Sequence, residues 1–283
     1  MSLSAGRPPV LDNPHSDRVR RVAGLVGRSA RSRSGLMLVE GPQAVREVVR
    51  HRREAVRDVY LTRSAADRHP RILREAREAT RWVHEVSDGV AAAMSADAQG
   101  ILAVVGLDAV KDAAAAPAPG STIVLLAQGR DPGNVGTIIR TADAMGAAAV
   151  VAVSGTVDVR GPKVVRASAG SVFHLPIVPA ASLDEAIALQ RRWGSVVLGT
   201  SGGAGTESLS DLVRAAERGA GSPLEATHTW VLGNEARGLS EEEMALCDLL
   251  VAIPMTGEAE SLNVASAAAM CLFASQHCAL ARG

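Results

Sequence analysis

Aromatic residues are nearly missing from this 283-residue chain: three Trp, one Tyr and two Phe, 2% of the total. A core built on ring packing is thereby excluded, and Ala and Val must fill the interior of a chain that is 47% apolar. Lysine occurs only as Lys111 and Lys163, so positive charge here means arginine. Cys247, Cys271 and Cys278 lack C-x-x-C spacing and read as small core residues in a reducing compartment. No His/Cys ligand set is visible, so no metal is expected. No run approaches the ~18 apolar residues of a membrane span. Met1 to Val10 has no apolar centre of a secretory leader, and a cytoplasmic protein is expected. The glycine-rich stretch from Gly199 to Gly205 does not fit G-x-G-x-x-G, which argues against a dehydrogenase-type dinucleotide site.

Charge is balanced but unevenly spread. The formal net charge is zero, yet residues 1–111 carry +6 and residues 112–283 carry −6. Segment 1–80 alone carries +8. Such asymmetry points to a polyanion meeting the first half, with nucleic acid the natural candidate.

Composition divides the chain. Residues 1–15, with three prolines and no periodicity, read as a flexible tail. Residues 16–108 read as a small α/β domain, with a basic helical start between Asp17 and Arg33, strands at Leu36–Val39, Val56–Leu61 and Gly100–Val105, and helices at Ala44–Arg53 and Ile72–Thr80. Residues 109–120, low in complexity with two prolines and a final glycine, read as a linker. In 121–283, apolar runs at 123–127, 148–153, 172–178, 196–200, 229–233 and 249–253 alternate with helical stretches near 135–146, 183–193, 208–218, 241–247 and 263–281. Continuous apolar strands between helices imply a mostly parallel sheet covered on both faces.

Three polar loops follow strands in this second domain. The first is Gln128-Gly-Arg-Asp131-Pro-Gly-Asn134-Val-Gly-Thr-Ile-Ile-Arg140, where Asp131 or Asn134 can cap the next helix. The second is Gly233-Asn234-Glu235-Ala-Arg-Gly238-Leu, two glycines bracketing polar residues before a helix capped by Ser240. The third is Ile253-Pro254-Met255-Thr-Gly-Glu-Ala-Glu-Ser261-Leu262-Asn263, where Ser261 or Asn263 caps the last helix. An N-cap also presents free backbone N–H groups, so capping and ligand binding are compatible. Strand ends that open into such loops are where α/β proteins place ligands.

In this order the loops resemble the three signature motifs of the SpoU/TrmH family of RNA ribose 2′-O-methyltransferases, of the SPOUT class. Val165-Arg166-Ala-Ser168-Ala-Gly170 also looks like that family, and Gly35–Gly41 with Gln99–Val104 resembles the L30e-like substrate-binding domain of its rRNA-directed members. The resemblance implies a parallel-sheet SPOUT domain closed by a trefoil knot, a homodimer, and S-adenosylmethionine held by Thr200, Ser201, Gly202, Leu232, Gly233, Asn234, Glu235, Ile253, Pro254, Met255, Ser261, Leu262 and Asn263. It assigns catalysis to Arg140 with Asn134, Glu235, Ser261 and Asn263, Glu235 orienting Asn134 or Arg140. It makes RNA the partner, with 23S rRNA favoured over tRNA, and Arg18, Arg20, Arg21, Arg31, Arg33 and Arg166 the RNA-binding residues. With few stacking residues in the first domain, RNA recognition by shape and backbone is expected. A non-catalytic RNA-binding member is the alternative.

Overall fold

A computed structural model describes residues 10–112, 115–203 and 205–281. Expectations for residues 1–9, and for parts of the 109–120 linker, lie outside the described residues. The chain divides into two compact units, one comprising 1–110 with 160–173 and the other 111–159 with 174–283.

The first unit opens with α1 (Asp17–Gly24), capped by the Ser16 side chain, and α2 (Arg28–Ser34). The helix expected in the first part of the basic segment is α1, and the remainder forms a second helix after the break at Gly24 to Gly27. Then follow β1 (Leu36–Glu40), α3 (Pro42–His51), β2 (Val56–Thr62), α4 (Arg63–Arg68), α5 (Pro70–Ala79), β3 (Val83–Val86), α6 (Asp88–Met94) and β4 (Ile101–Gly106). α3 forms because Pro42 presets its first turn and Val45, Val48 and Val49 make one fully buried stripe. The sheet order is β1-β4-β2-β3, antiparallel except for the β2–β3 pair. Leu11, assigned from sequence to a flexible tail, instead exchanges backbone hydrogen bonds with Glu85 and Ser87 beside β3. Val19, Val22, Leu38, Tyr60, Val90 and Leu102 form the core between the sheet and helices α1 and α6.

The second unit begins with β5 (Thr122–Leu126), α7 (Pro132–Ala144) and β6 (Ala149–Val153). The chain then returns to the first unit as α8 (Pro162–Ala167) and a 3-10 turn at Ser171–Phe173. Sequence reading assigned this stretch to the second domain and read 172–178 as a strand. In its place the chain turns at Ala169 and Gly170, both at positive φ, and strand resumes only at β7 (Ile177–Ala180). The second unit continues with α9 (Leu183–Arg192), β8 (Val196–Thr200), the short β9 (Glu207–Ser208), α10 (Leu209–Glu217), β10 (His228–Leu232), α11 (Glu241–Ala245), β11 (Leu249–Ala252) and α12 (Val264–Leu280).

Its seven strands run in the order β7-β6-β5-β10-β8-β11-β9, and every pairing is parallel. The expected covered parallel sheet is therefore present. β10 is central and no residue in it is more than 1% exposed. Ile123, Leu125, Val151, Val197 and Val231 pack on one face with Ile187 of α9. Leu198 and Trp230 pack on the other with Cys271, Ala274 and Cys278 of α12. No described helix is long and apolar enough to cross a membrane.

Candidate active site

The C-terminal ends of the adjacent strands β8, β10 and β11 surround a cavity of about 380 Å³. That volume suits a small-molecule site, for which roughly 300–1,000 Å³ is usual. Thr200, Ser201 and Gly202 line it from β8; Gly233, Asn234 and Glu235 from β10; Ile253, Met255, Ser261 and Leu262 from the loop after β11. These ten were expected from sequence. Three others stand elsewhere: Leu232 is core, 1% exposed, while Pro254 and Asn263 lie off the wall.

Residues that sequence reading did not select complete the lining: Ala236, Arg237, Gly238, Leu239, Met244, Val251, Glu260, Val264 and Ala267. Most are apolar and reach the wall only because separate loops fold together. The Gly238-Leu239 pair was the available signal.

The wall after β10 depends on two glycines. Asn234 and Gly238 exchange two backbone hydrogen bonds, of 3.0 and 2.8 Å, closing a tight loop. Gly238 sits at φ +70°, a conformation that side chains oppose. A Cβ on Gly233 would stand 2.4 Å from the Gly238 carbonyl carbon.

One polar chain ties the three motifs together. The Glu235 carboxylate accepts the backbone N–H groups of Arg130 and Asp131, at 3.1 and 2.9 Å. Glu235 thus holds the turn before α7 and not, as expected, the Asn134 or Arg140 side chain. Asp131 caps α7 by accepting from the Asn134 N–H at 2.7 Å. The Asn134 Oδ1 accepts from Asn263 Nδ2 at 3.1 Å. Asn263 Oδ1 in turn accepts from the N–H groups of Ala265 and Ser266, capping α12. Asn263 therefore caps the last helix, one of the roles considered from sequence, and also bonds the first motif, which sequence did not indicate.

Arg140 is exposed on α7, is not on the cavity wall, and its side chain makes no hydrogen bond or ion pair among the described residues. Burial, followed by Asp248 and Glu243, pushes the Cys247 thiol up to about 11. Burial pushes Cys271 up to about 12. Neither is a thiolate nucleophile at neutral pH.

In the first unit, Arg18, Arg20, Arg21 and Arg33 are exposed on α1 and α2, with Arg20 paired to Asp17 at 2.5 Å. Arg31 does not belong with them. It is 4% exposed, and its guanidinium donates to the Leu25 and Val26 carbonyls at 2.9 and 2.6 Å, which end α1. A buried guanidinium used in this way caps a helix and does not meet RNA. Arg166 lies in this same unit, ion-paired to Glu40 and to Asp97, the latter at 2.9 Å. Two carboxylates of the unit thus face the Arg166 guanidinium.

The profile of the SpoU rRNA Methylase family matches residues 121–273, and that of the RNA 2′-O ribose methyltransferase substrate binding domain matches 38–106. The 23S rRNA (guanosine-2′-O-)-methyltransferase RlmB of Bordetella pertussis is 32% identical over 251 residues, covering 84% of this chain and 96% of its own. The AdoMet-bound rRNA methyltransferase of Sinorhizobium meliloti superposes with a TM-score of 0.78 at 26% identity, over 95% of this chain and 97% of that one. AviRb of Streptomyces viridochromogenes in complex with AdoMet superposes at 0.72 with 28% identity, over 94% and 99%. With two motif loops around one cavity, the first motif hydrogen-bonded to both, and the two family matches in order along the sequence, the chain belongs to the SpoU family of rRNA methylases.

Proposed function

We propose that this protein transfers the methyl group of S-adenosylmethionine to a ribose 2′-OH of RNA, in 23S rRNA, in the cytoplasm. The observation that carries this reading is one cavity walled by the second and third motif loops and the loop after β8, and tied to the first motif and to α12 through Glu235, Asn134 and Asn263. The cavity fits the cofactor's chemistry: Leu239, Met244, Ile253 and Leu262 offer an apolar bed, and the glycine-containing loops offer backbone groups at close approach. The cofactor, when bound, supplies a methyl already activated by its positive sulfur, so the reaction needs no metal.

What remains for the protein is to align the ribose hydroxyl and manage its proton. A guanidinium has no lone pair to accept a proton and is a poor base. Arg140 serves better by donating to the adjacent phosphate and to the developing alkoxide. Asn134, held by Asn263, positions the ribose, with Ser261 on the cavity wall. Arg140 lies six residues beyond Asn134, about 9 Å along α7, so within one chain it stands away from the cavity. A homodimer answers this: a second copy brings Arg140 to the site, docked along α12, where Met270 and Phe273 are 45% and 61% exposed. The loops after β8, β10 and β11 are threaded as a trefoil knot in this reading. Exposed Arg18, Arg20, Arg21 and Arg33 hold RNA phosphates.

The test is tritiated S-adenosylmethionine incubated with separated 23S rRNA, 16S rRNA and tRNA. Label is expected in 23S rRNA, in alkali-resistant dinucleotides. Label in tRNA alone would reassign the substrate, and calorimetric cofactor binding without transfer to any RNA would leave a non-catalytic member. Arg140→Ala is expected to bind cofactor normally and to lose transfer by about 10²-fold or more; transfer at the wild-type rate would remove Arg140 from the mechanism.

A further inference from the structure

The only two aromatic residues among the first 112 positions, Tyr60 and Trp82, belong to one stack. Tyr60 of β2 pairs with His84 of β3, and their rings stack with centroids 4.9 Å apart. Trp82 lies two residues before His84, on the same side of the strand, and its ring is near-parallel to the imidazole at 6.4 Å and 16°. The Arg81 guanidinium lies 4.7 Å over the indole. His84 Nε2 is 2.8 Å from Asp58 Oδ1, which fixes the middle ring.

The column runs outward along the sheet edge. Tyr60 is 2% exposed and sits in the core, His84 is half-buried, and Trp82 is 50% exposed. A chain this poor in aromatics has thus placed one of its three indoles in solvent, on a column anchored in the core. Its surroundings are basic. Val19 and Val22 of α1 share the core cluster with Tyr60, so the exposed Arg18 and Arg21 stand on the helix that packs at that end of the column.

We propose that this column is a base-stacking platform, on which one unpaired nucleobase of the RNA substrate lies against Trp82 and Arg81 while Arg18 and Arg21 meet the flanking phosphates. Indole and guanidinium planes both stack on bases, and neither requires a particular sequence. The inference rests on the RNA-methylation reading and deepens it. It also departs from the expectation of recognition by shape and backbone alone.

The experiment compares the full chain with Trp82→Ala and Trp82→Phe, titrated with a single-stranded oligoribonucleotide of about ten nucleotides and with a duplex of equal length. Trp82→Ala is expected to weaken single-strand binding by roughly five- to a hundredfold. Duplex affinity and the salt slope should hold, because no charge is lost. Trp82→Phe should recover most of the affinity, and RNA should quench indole emission in the wild type but not in Trp82→Ala. Unchanged single-strand affinity in Trp82→Ala, or equal loss on the duplex, overturns the platform. If that occurs while the wild type still methylates RNA, stacking fails alone; if the wild type neither binds nor methylates any RNA, the functional reading falls with it. Unchanged RNA binding with altered sedimentation in Trp82→Ala would also overturn it, assigning the indole to contact between copies.

Discussion

Gly233 shows how little room the site leaves at single positions. Its missing side chain is what allows the backbone of Gly238 and Leu239 to fold against it, with the nearest atoms 2.4 and 2.6 Å from where a Cβ would stand. Gly233→Ala is expected to open the Asn234–Gly238 loop and to cut S-adenosylmethionine affinity by about tenfold or more, with the fold retained by circular dichroism. Unchanged calorimetric affinity would show that this loop does not hold the cofactor. Residues at this scale differed in how readable they were. Asn263 was legible, because Ser-x-Asn before a small-residue helix announces a cap. Arg31 was not: among the Arg18–Arg33 cluster nothing local marks the one guanidinium that turns inward to the carbonyls ending α1. Glu235 was half legible, since a motif names the residue while its backbone partners, about a hundred positions away, emerge only on folding.

The element most dependent on one polar atom is α12. Ser275, 2% exposed, brings its hydroxyl to 2.9 Å from Trp230 Nε1 and 2.7 Å from His228 Nε2, joining the last helix to the central strand β10. His228 Nδ1 faces the Ala226 carbonyl at 2.8 Å, so it carries the proton and leaves Nε2 to accept. Ser275→Ala leaves the buried indole N–H without that acceptor, while His228 keeps Thr122 at 3.2 Å. The expected loss is about 1–3 kcal/mol, read as a lowered urea midpoint with an unchanged slope; no shift would mean that water replaces the hydroxyl. Elements built on apolar runs, β5, β6, β8 and β10, were legible because burial on both faces leaves few polar positions. β3 was missed: its Val-His-Glu-Val is four residues long and mostly half-buried, so no periodicity develops. α8 was missed for the same reason, at six residues.

At the scale of the molecule, the chain crosses between its compact units three times, because 160–173 belongs with 1–110. Val164, Val165, Val172 and Phe173 are at most 2% exposed, and α8 and the 3-10 turn contact β1 and α3. Sequence could not reveal this, since the apolar residues of the excursion look like those of any strand or helix in the second unit. A fragment beginning at residue 111 would carry these side chains without their cover. It is expected to aggregate or to bind a hydrophobic dye strongly, whereas the full chain cut once near residue 112 should elute as one species in gel filtration. A soluble, dye-silent fragment would show that the excursion can repack on the second unit.

The central place of β10 sets an order in time. Its neighbours β5 and β8 are both synthesised before it, so a slot one strand wide must stay open until His228 to Leu232 arrive. Until then the two halves of the sheet share no edge, and the pocket's β10 wall does not exist. Pairings this far apart in sequence form slowly. Trp230 stands in the middle of the slot and ends 1% exposed, so its emission is a clock for closure. In a Trp82→Phe, Trp193→Phe background, indole burial during refolding is expected to lag the recovery of far-ultraviolet ellipticity; simultaneous recovery would mean that strand and slot form together. A cell making this protein thus holds two unjoined half-sheets until about four-fifths of the chain has been made, and the cofactor can bind only after that interval ends.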